Sequence, residues 1–263
     1  MSGETTRASM DAVEVVNPQG AGAALLLCEH ASNAIPAAFD GLGLDPDAAR
    51  SHAAWDPGAR DLALALSRAL DAPLVAGRLS RLVYDCNRPP EAPSAMPEKS
   101  EVIEVPGNRG LTEGDRAART SAVYRPFCAA VDAVIADRRA RGLPTALVTI
   151  HSFSPVWFGR PRAVEIGILH DADARMADLM LRAAEFLPGR KVERNQPYGP
   201  DDGVTHSLQV HGLANDLPNV MIEVRNDLLA TPQGVAMIAD ELHSLLTPAL
   251  SGLGLRTPGA ADA

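Results

Sequence analysis

Apolar residues fall along this chain in two alternating forms, short unbroken runs and longer stretches at helical spacing. Ala21 to Cys28 is an apolar run that ends in Glu29 and His30. That is the pattern of a fully buried strand handing polar groups to a loop. Asp56-Pro57-Gly58 opens Ala59 to Leu70, where Leu62, Leu66, Ala69 and Leu70 repeat at helical spacing behind an Asp-Pro start, so a helix is predicted there. Leu74 to Ala76 and Arg81 to Tyr84 read as short strands, and the proline-rich Pro89 to Pro106 as a surface loop. Thr112 to Arg141 has the stripe of a long amphipathic helix, which would break at Pro126. Thr145 to Ile150, Val164 to Leu169 and Val220 to Ile222 repeat the buried-strand pattern, with helices predicted over Asp171 to Leu187 and Thr231 to Leu246. Asn195 to Asp202 reads as a turn-rich loop.

Strands alternating with helices predict an α/β fold with a mostly parallel or mixed sheet covered by helices. No internal repeat interrupts the pattern. The expectation is one catalytic α/β domain over residues 20–250, with a flexible N-terminal segment over 1–19 and a flexible tail over 251–263. Aromatics are only 4% of the 263 residues, so the core falls to Leu, Val, Ile and Ala.

Charge narrows the partners. With 24 basic against 33 acidic side chains, a net charge of -9 leaves no basic footprint for nucleic acid. No run approaches the roughly 18 apolar residues that span a bilayer, and Met1 to Asn17 lacks the basic start and apolar stretch of a secretory signal. Cys28, Cys86 and Cys128 form no CxxC pair, and their odd number disfavours a disulfide framework. A cytoplasmic location is expected, with a small molecule as the partner; oligomeric state stays open.

The predicted strand ends carry the chemistry. Glu29-His30, His151 and Glu223-Val224-Arg225 each follow an apolar run, and in open α/β sheets the carboxyl ends of strands are where ligands sit. Two histidines with a carboxylate form a catalytic zinc set, and a separate glutamate could serve as general base. Each histidine taken singly could equally be a hydrogen-bonded core residue. Ser80 to Arg88 is dense in Arg and Asn, groups that bind carboxylates. It reads as an anion site or as an Arg-Asp surface network, and both stay open. Cys28, ending an apolar run, is expected to be buried and inert, and Asp201-Asp202-Gly203 to be a turn.

A set of short motifs, in order, gives a more specific signal. Cys28 to Ser32 with Pro36, Trp55 to Ala59, Ser80 to Val83 with Asn87-Arg88-Pro89, Pro106 to Gly110, His151-Ser152-Phe153, Asn195 to Tyr198 and Glu223 to Asp227 together resemble the N-formylglutamate amidohydrolase family. The resemblance runs from about residue 20 to residue 246 and implies a zinc-carboxypeptidase-like fold and a zinc hydrolase of an amide next to an amino acid carboxylate. It implies one zinc ion held by His30 and His151, with Asn87 and Arg88 holding the substrate carboxylate. Glu223 would activate the zinc-bound water and pass its proton to the leaving amine. Arg81, Tyr198 and Arg225 fall in family motifs and would support substrate binding.

One position departs from the wider carboxypeptidase pattern. The metal carboxylate expected three residues after the first histidine is replaced by Asn33, so Asp56 or Glu29 would have to take its place. Asp56 could instead cap a helix, and Glu29 could orient a histidine from behind. His211 lies where the family tends to place a histidine, with a cleft role and a core role both open. Hydrolysis of N-formyl-L-glutamate, or another small N-acyl acidic amino acid, is the leading expectation. The rivals are a deacylase or carboxypeptidase-like hydrolase of other N-acyl amino acids or short peptides, and a catalytically silent anion-binding protein of the same fold.

Overall fold

Four consecutive strands are the reason the polar strand ends meet. In the computed structural model, which describes residues 11–187 and 189–255, a seven-stranded mixed sheet is built from β1 (Val13–Val16), β2 (Ala24–Cys28), β3 (Leu74–Gly77), β4 (Ala146–Phe153), β5 (Ile166–Leu169), β6 (Val192–Arg194) and β7 (Asn219–Arg225). Their spatial order is β1-β3-β2-β4-β7-β5-β6. β3, β2, β4 and β7 run parallel, while β1 is antiparallel to β3 and β5 antiparallel to β7. The sheet is therefore of the mixed kind expected.

Alternation along each strand feeds two cores. Ala24, Leu26, Ala146, Val148, Val220 and Ile222 pack on one face against α1 (Ala59–Ala69), α4 (Arg175–Ala184) and α5 (Pro232–Gly252). Leu25, Leu27, Leu147 and Met221 pack on the other against Phe127, Val131, Val134 and Ile135 of α3 (Arg125–Ala140). Both faces are covered, which is why the central strands are apolar throughout. Arg138 of α3 is fully buried at the sheet's lower edge, donating to Thr145 Oγ1 and to the carbonyls of Gly20, Gly22 and Pro144.

Several expectations change. Arg81 to Tyr84 is a run of turns, not a strand: Ser80 accepts from Leu82 N and Val83 N, and Arg81 N donates to Ala54 O. The predicted helix over Thr112 to Arg141 is α2 (Glu113–Arg119), a wide π turn over Thr120–Tyr124, and then α3. Pro126 lacks an N–H and crowds the preceding turn, which the wider turn accommodates. Thr112 and Asp115 form a capping box at its start. α4 begins only at Arg175, after Ala174, and the Asp171 side chain before it accepts from Ala172 N, Thr205 and Gln209. α5 runs six residues past Leu246, burying Ala249 and Leu250. Residues 13–16, assigned to a flexible segment, form the edge strand β1, and 251–252 belong to α5. The proposed disorder of Met1 to Met10 and Arg256 to Ala263 lies outside the described residues. Among the described residues no helix is long and apolar enough to cross a membrane.

Candidate functional site

His151 and Glu223 are register partners on the adjacent parallel strands β4 and β7. Both therefore point to the face that carries Leu147 and Met221. β2 delivers Glu29 and His30 beside them, and the backbone there passes so close to β3 that a Cβ on Gly77 would stand 2.2 Å from Glu29 O. Asp56 arrives from the turn before α1, its N–H bonded to His30 O at 3.0 Å. Across the cavity, Gly167 on β5 admits the loop bearing Tyr198, since a Cβ there would meet Gln196 O at 1.8 Å.

These residues form one buried constellation. Asp56 Oδ2 lies 3.2 Å from His30 Nδ1 and 2.9 Å from His151 Nδ1. His30, Asp56 and His151 each offer a ligand atom within 4.8 Å of the others, a group that could hold a metal ion. Behind each ring stands another acid. His30 Nε2 is 2.7 Å from Asp85 Oδ1, and His151 Nε2 is 3.3 Å from Glu29 Oε2. Carboxylates on the far nitrogens fix the tautomer and orientation of metal-binding imidazoles. Arg81 reaches Asp85 at 2.7 Å and Asp56 at 3.4 Å.

The protonation pattern follows from these contacts. Burial would raise Asp85, but Arg81 and His30 hold it well below the usual range. Asp56 is lowered against its burial by the two imidazoles, and Glu29 falls to about 2 because His151 and His30 outweigh its burial. Burial would lower both histidines; Asp85 and Asp56 raise His30 despite Arg81, and Glu29 and Asp56 raise His151 well above its ordinary value. Three ionised acids thus face one guanidinium and two imidazoliums, a balanced set. A divalent cation replacing the two imidazolium protons preserves that balance, so the donor set fits a dication.

Glu223 behaves differently. It is 6% exposed, its Oε2 has no hydrogen-bond partner, and burial, aided by Asp56, pushes its carboxyl up to about 7. It lines a cavity of about 360 Å³ together with His30, Asp56, His151, Arg88 and Tyr198. Arg88 is half-buried there and has no acidic partner among the described residues.

Other expected residues sit as follows. Asn87 lines the cavity, but its amide is engaged, donating to Val204 O and accepting from Ser207 N. Arg225 lies outside the lining, paired with Asp227 and donating to Arg162 O. Glu29 stays behind His151, apart from the three-residue group. His211 is buried away from the cavity, 3.7 Å from Asp132. Burial drives the Cys28 thiol well up, which disfavours a nucleophile. Asp85 and Arg162 were not foreseen: Asp85 stood inside the Ser80 to Arg88 motif, whereas nothing local distinguishes Arg162.

An α/β sheet that gathers a metal-competent His-Asp-His group and an unpartnered carboxyl at the floor of an arginine-bearing cavity has the build of an enzyme with a candidate metal centre. The comparisons specify the family. The family model for N-formylglutamate amidohydrolase matches residues 22–230, so the chain belongs to the N-formylglutamate amidohydrolase family. It is similar to the gene product Atu2144 of Agrobacterium tumefaciens, with 55% identity, 95% of this chain and 98% of that one covered, and a TM-score of 0.91. The N-formylglutamate amidohydrolase from Ralstonia eutropha JMP134 shares the fold at 22% identity, covering 91% of this chain and 97% of that one, with a TM-score of 0.67. No curated protein matches the chain.

Proposed function

We propose that this chain hydrolyses the formyl amide of an N-formylated acidic amino acid, with N-formyl-L-glutamate as the type substrate. The observation that carries the reading is the His30-Asp56-His151 group facing an unpartnered Glu223 carboxyl in one cavity. His30 Nδ1, His151 Nδ1 and Asp56 Oδ2 would hold one divalent ion, and imidazole with carboxylate suits zinc. When bound, the ion would supply Lewis acidity toward the acyl oxygen and toward water.

The chain's own residues do the rest. Glu223, near neutrality, takes a proton from the attacking water and returns it to the amine nitrogen as the C–N bond breaks, leaving formate and the free amino acid. Arg88, which lines the cavity and has no acidic partner among the described residues, takes the substrate α-carboxylate through its planar fork. Asn87 supports it by fixing the 204–207 backbone. Arg81 acts on Asp56 and Asp85 instead of on substrate. Asp85 and Glu29 orient the two imidazoles from behind. Tyr198 stands at the wall of the cavity, where its hydroxyl can reach the substrate.

Metal analysis with hydrolysis assays tests the reading. Purified protein is expected to carry about one equivalent of zinc and to release formate from N-formyl-L-glutamate faster than acetate from N-acetyl-L-glutamate. Chelation should abolish the activity and zinc restore it. E223Q should retain the metal and lose hydrolysis by a factor of about 10² or more. Full activity in E223Q, or no metal and no turnover of any N-acyl amino acid or dipeptide, overturns it.

A further inference from the structure

We propose that Arg162 receives the side-chain carboxylate of the substrate and so selects acidic over neutral amino acids. The cavity needs two cationic receptors if its substrate carries two carboxylates. Arg81 and Arg225 are both occupied by acids. Arg88 is one guanidinium without an acidic partner, and Arg162 is another among the described residues.

The setting of Arg162 is that of a held, unneutralised cation. Its guanidinium carbon lies 4.8 Å from the Tyr198 ring centroid, 4.9 Å from Trp157 and 5.5 Å from Phe153. All three rings line the cavity; Arg162 is not itself among the lining residues and adjoins the cavity through its contacts with Tyr198 and Ser154, which are. Aromatic faces stabilise a cation without cancelling its charge or consuming its N–H donors. Arg162 Nη2 donates to Tyr198 Oη at 2.9 Å, and Nη1 makes a long 3.4 Å contact with Ser154 O. That leaves donors over, since a guanidinium has five. The backbone is pinned on both sides: Arg162 N donates to Pro155 O at 2.8 Å, and Arg162 O accepts from Arg225 at 3.2 Å. The guanidinium is therefore preorganised before any anion arrives.

This inference rests on the proposed amidohydrolase reading and names the residue behind its preference. Wild-type protein, R162M and R162K are assayed on N-formyl-L-glutamate and on N-formyl-L-glutamine, which has the same shape without the side-chain charge. The ratio of kcat/KM for acid over amide should favour the acid in the wild type. In R162M it should fall about 10- to 100-fold, chiefly through KM, as expected for loss of a charged hydrogen-bond partner. R162K, which keeps the charge but loses the fork, should fall between them. If R162M does not fold, R162Q carries the same expectation. A parallel loss on both substrates would mean that Arg162 only positions Tyr198, and equal use of acid and amide by the wild type would remove the need for the receptor. Either result overturns this inference alone, whereas failure of the wild type on both substrates overturns the amidohydrolase reading.

Discussion

Glu223→Gln should make the metal-free protein more stable at neutral pH, and the gain should depend on pH. Burial lifts the Glu223 carboxyl from 4.5 to about 7, so the folded state binds this proton more tightly than the unfolded state does. Its contribution to stability is full below pH 4.5 and is lost as pH rises through about 7. A shift of this size is worth roughly 3 kcal/mol across the window, at about 1.4 kcal/mol per unit. Glutamine keeps the shape but has no proton to lose. Urea unfolding of both proteins in chelator, at several pH values, measures the effect as a difference. Taking the difference removes most of the contribution of His30 and His151, which are also raised, lose stability in the same direction as pH rises, and are common to both proteins. The stability of E223Q relative to wild type should rise by roughly 3 kcal/mol between pH 4.5 and 8, whatever constant cost the amide imposes. A difference that stays flat with pH would show that the carboxyl does not titrate in this range and would remove the physical basis for its role as base.

Asp85→Asn weakens the acceptor behind His30 and leaves all three proposed ligand atoms in place; zinc affinity, measured by competition with a chromophoric chelator, should fall about 10- to 100-fold, and unchanged affinity would refute that role. Zinc binding should release protons near pH 7, up to two, because His30 and His151 are both raised and each must bind the ion unprotonated at the ligating nitrogen. Calorimetry in buffers of different ionisation enthalpy reads that number, and a value near zero contradicts the charge balance. Arg138→Met strands the carbonyls of Gly20, Gly22 and Pro144 in the interior; urea unfolding should show a loss of at least about 3 kcal/mol, and a neutral result would refute the structural role.

The central strands were legible because they are covered on both faces and leave continuous apolar runs. β1 and β6 were not. Both are short sheet-edge elements of partly exposed residues with acids among them, Glu14 and Glu193, so nothing in their pattern separates them from loop. The π turn before α3 was legible only as a conflict between a helical stripe and Pro126. At the site, His30, His151 and Glu223 stood out because each follows an apolar run. The sharing of one Asp56 oxygen by two imidazoles was beyond reach, since Asp56 is 26 residues from His30 and 95 from His151. Arg162 belongs to no periodic element, and only the fold shows the three rings around it.

A chain of net charge -9 must draw an anion against its own field. The arrangement of charge in depth makes that feasible. Glu29 and Asp85 are buried behind the imidazoles and Asp56 is shared between them, while Arg88 is half-buried at the wall and Arg162 is half-buried against the lining rings Phe153, Trp157 and Tyr198. The acids thus surround the proposed cation, and the proposed receptors of the incoming carboxylates are guanidiniums without an acidic partner among the described residues. Arg81 makes the layers compatible. Its fork joins Asp85 and Asp56, so that three ionised acids leave a site charge of two for a dication to cancel. Without Arg81 one negative charge would persist at the floor of the cavity, and a like charge about 4 Å away costs an arriving carboxylate roughly 4 kcal/mol in a protein-surface dielectric. On the proposed reading Arg81, engaged by Asp85 and Asp56, thereby sets the field in which Arg88 and Arg162 would receive the carboxylates.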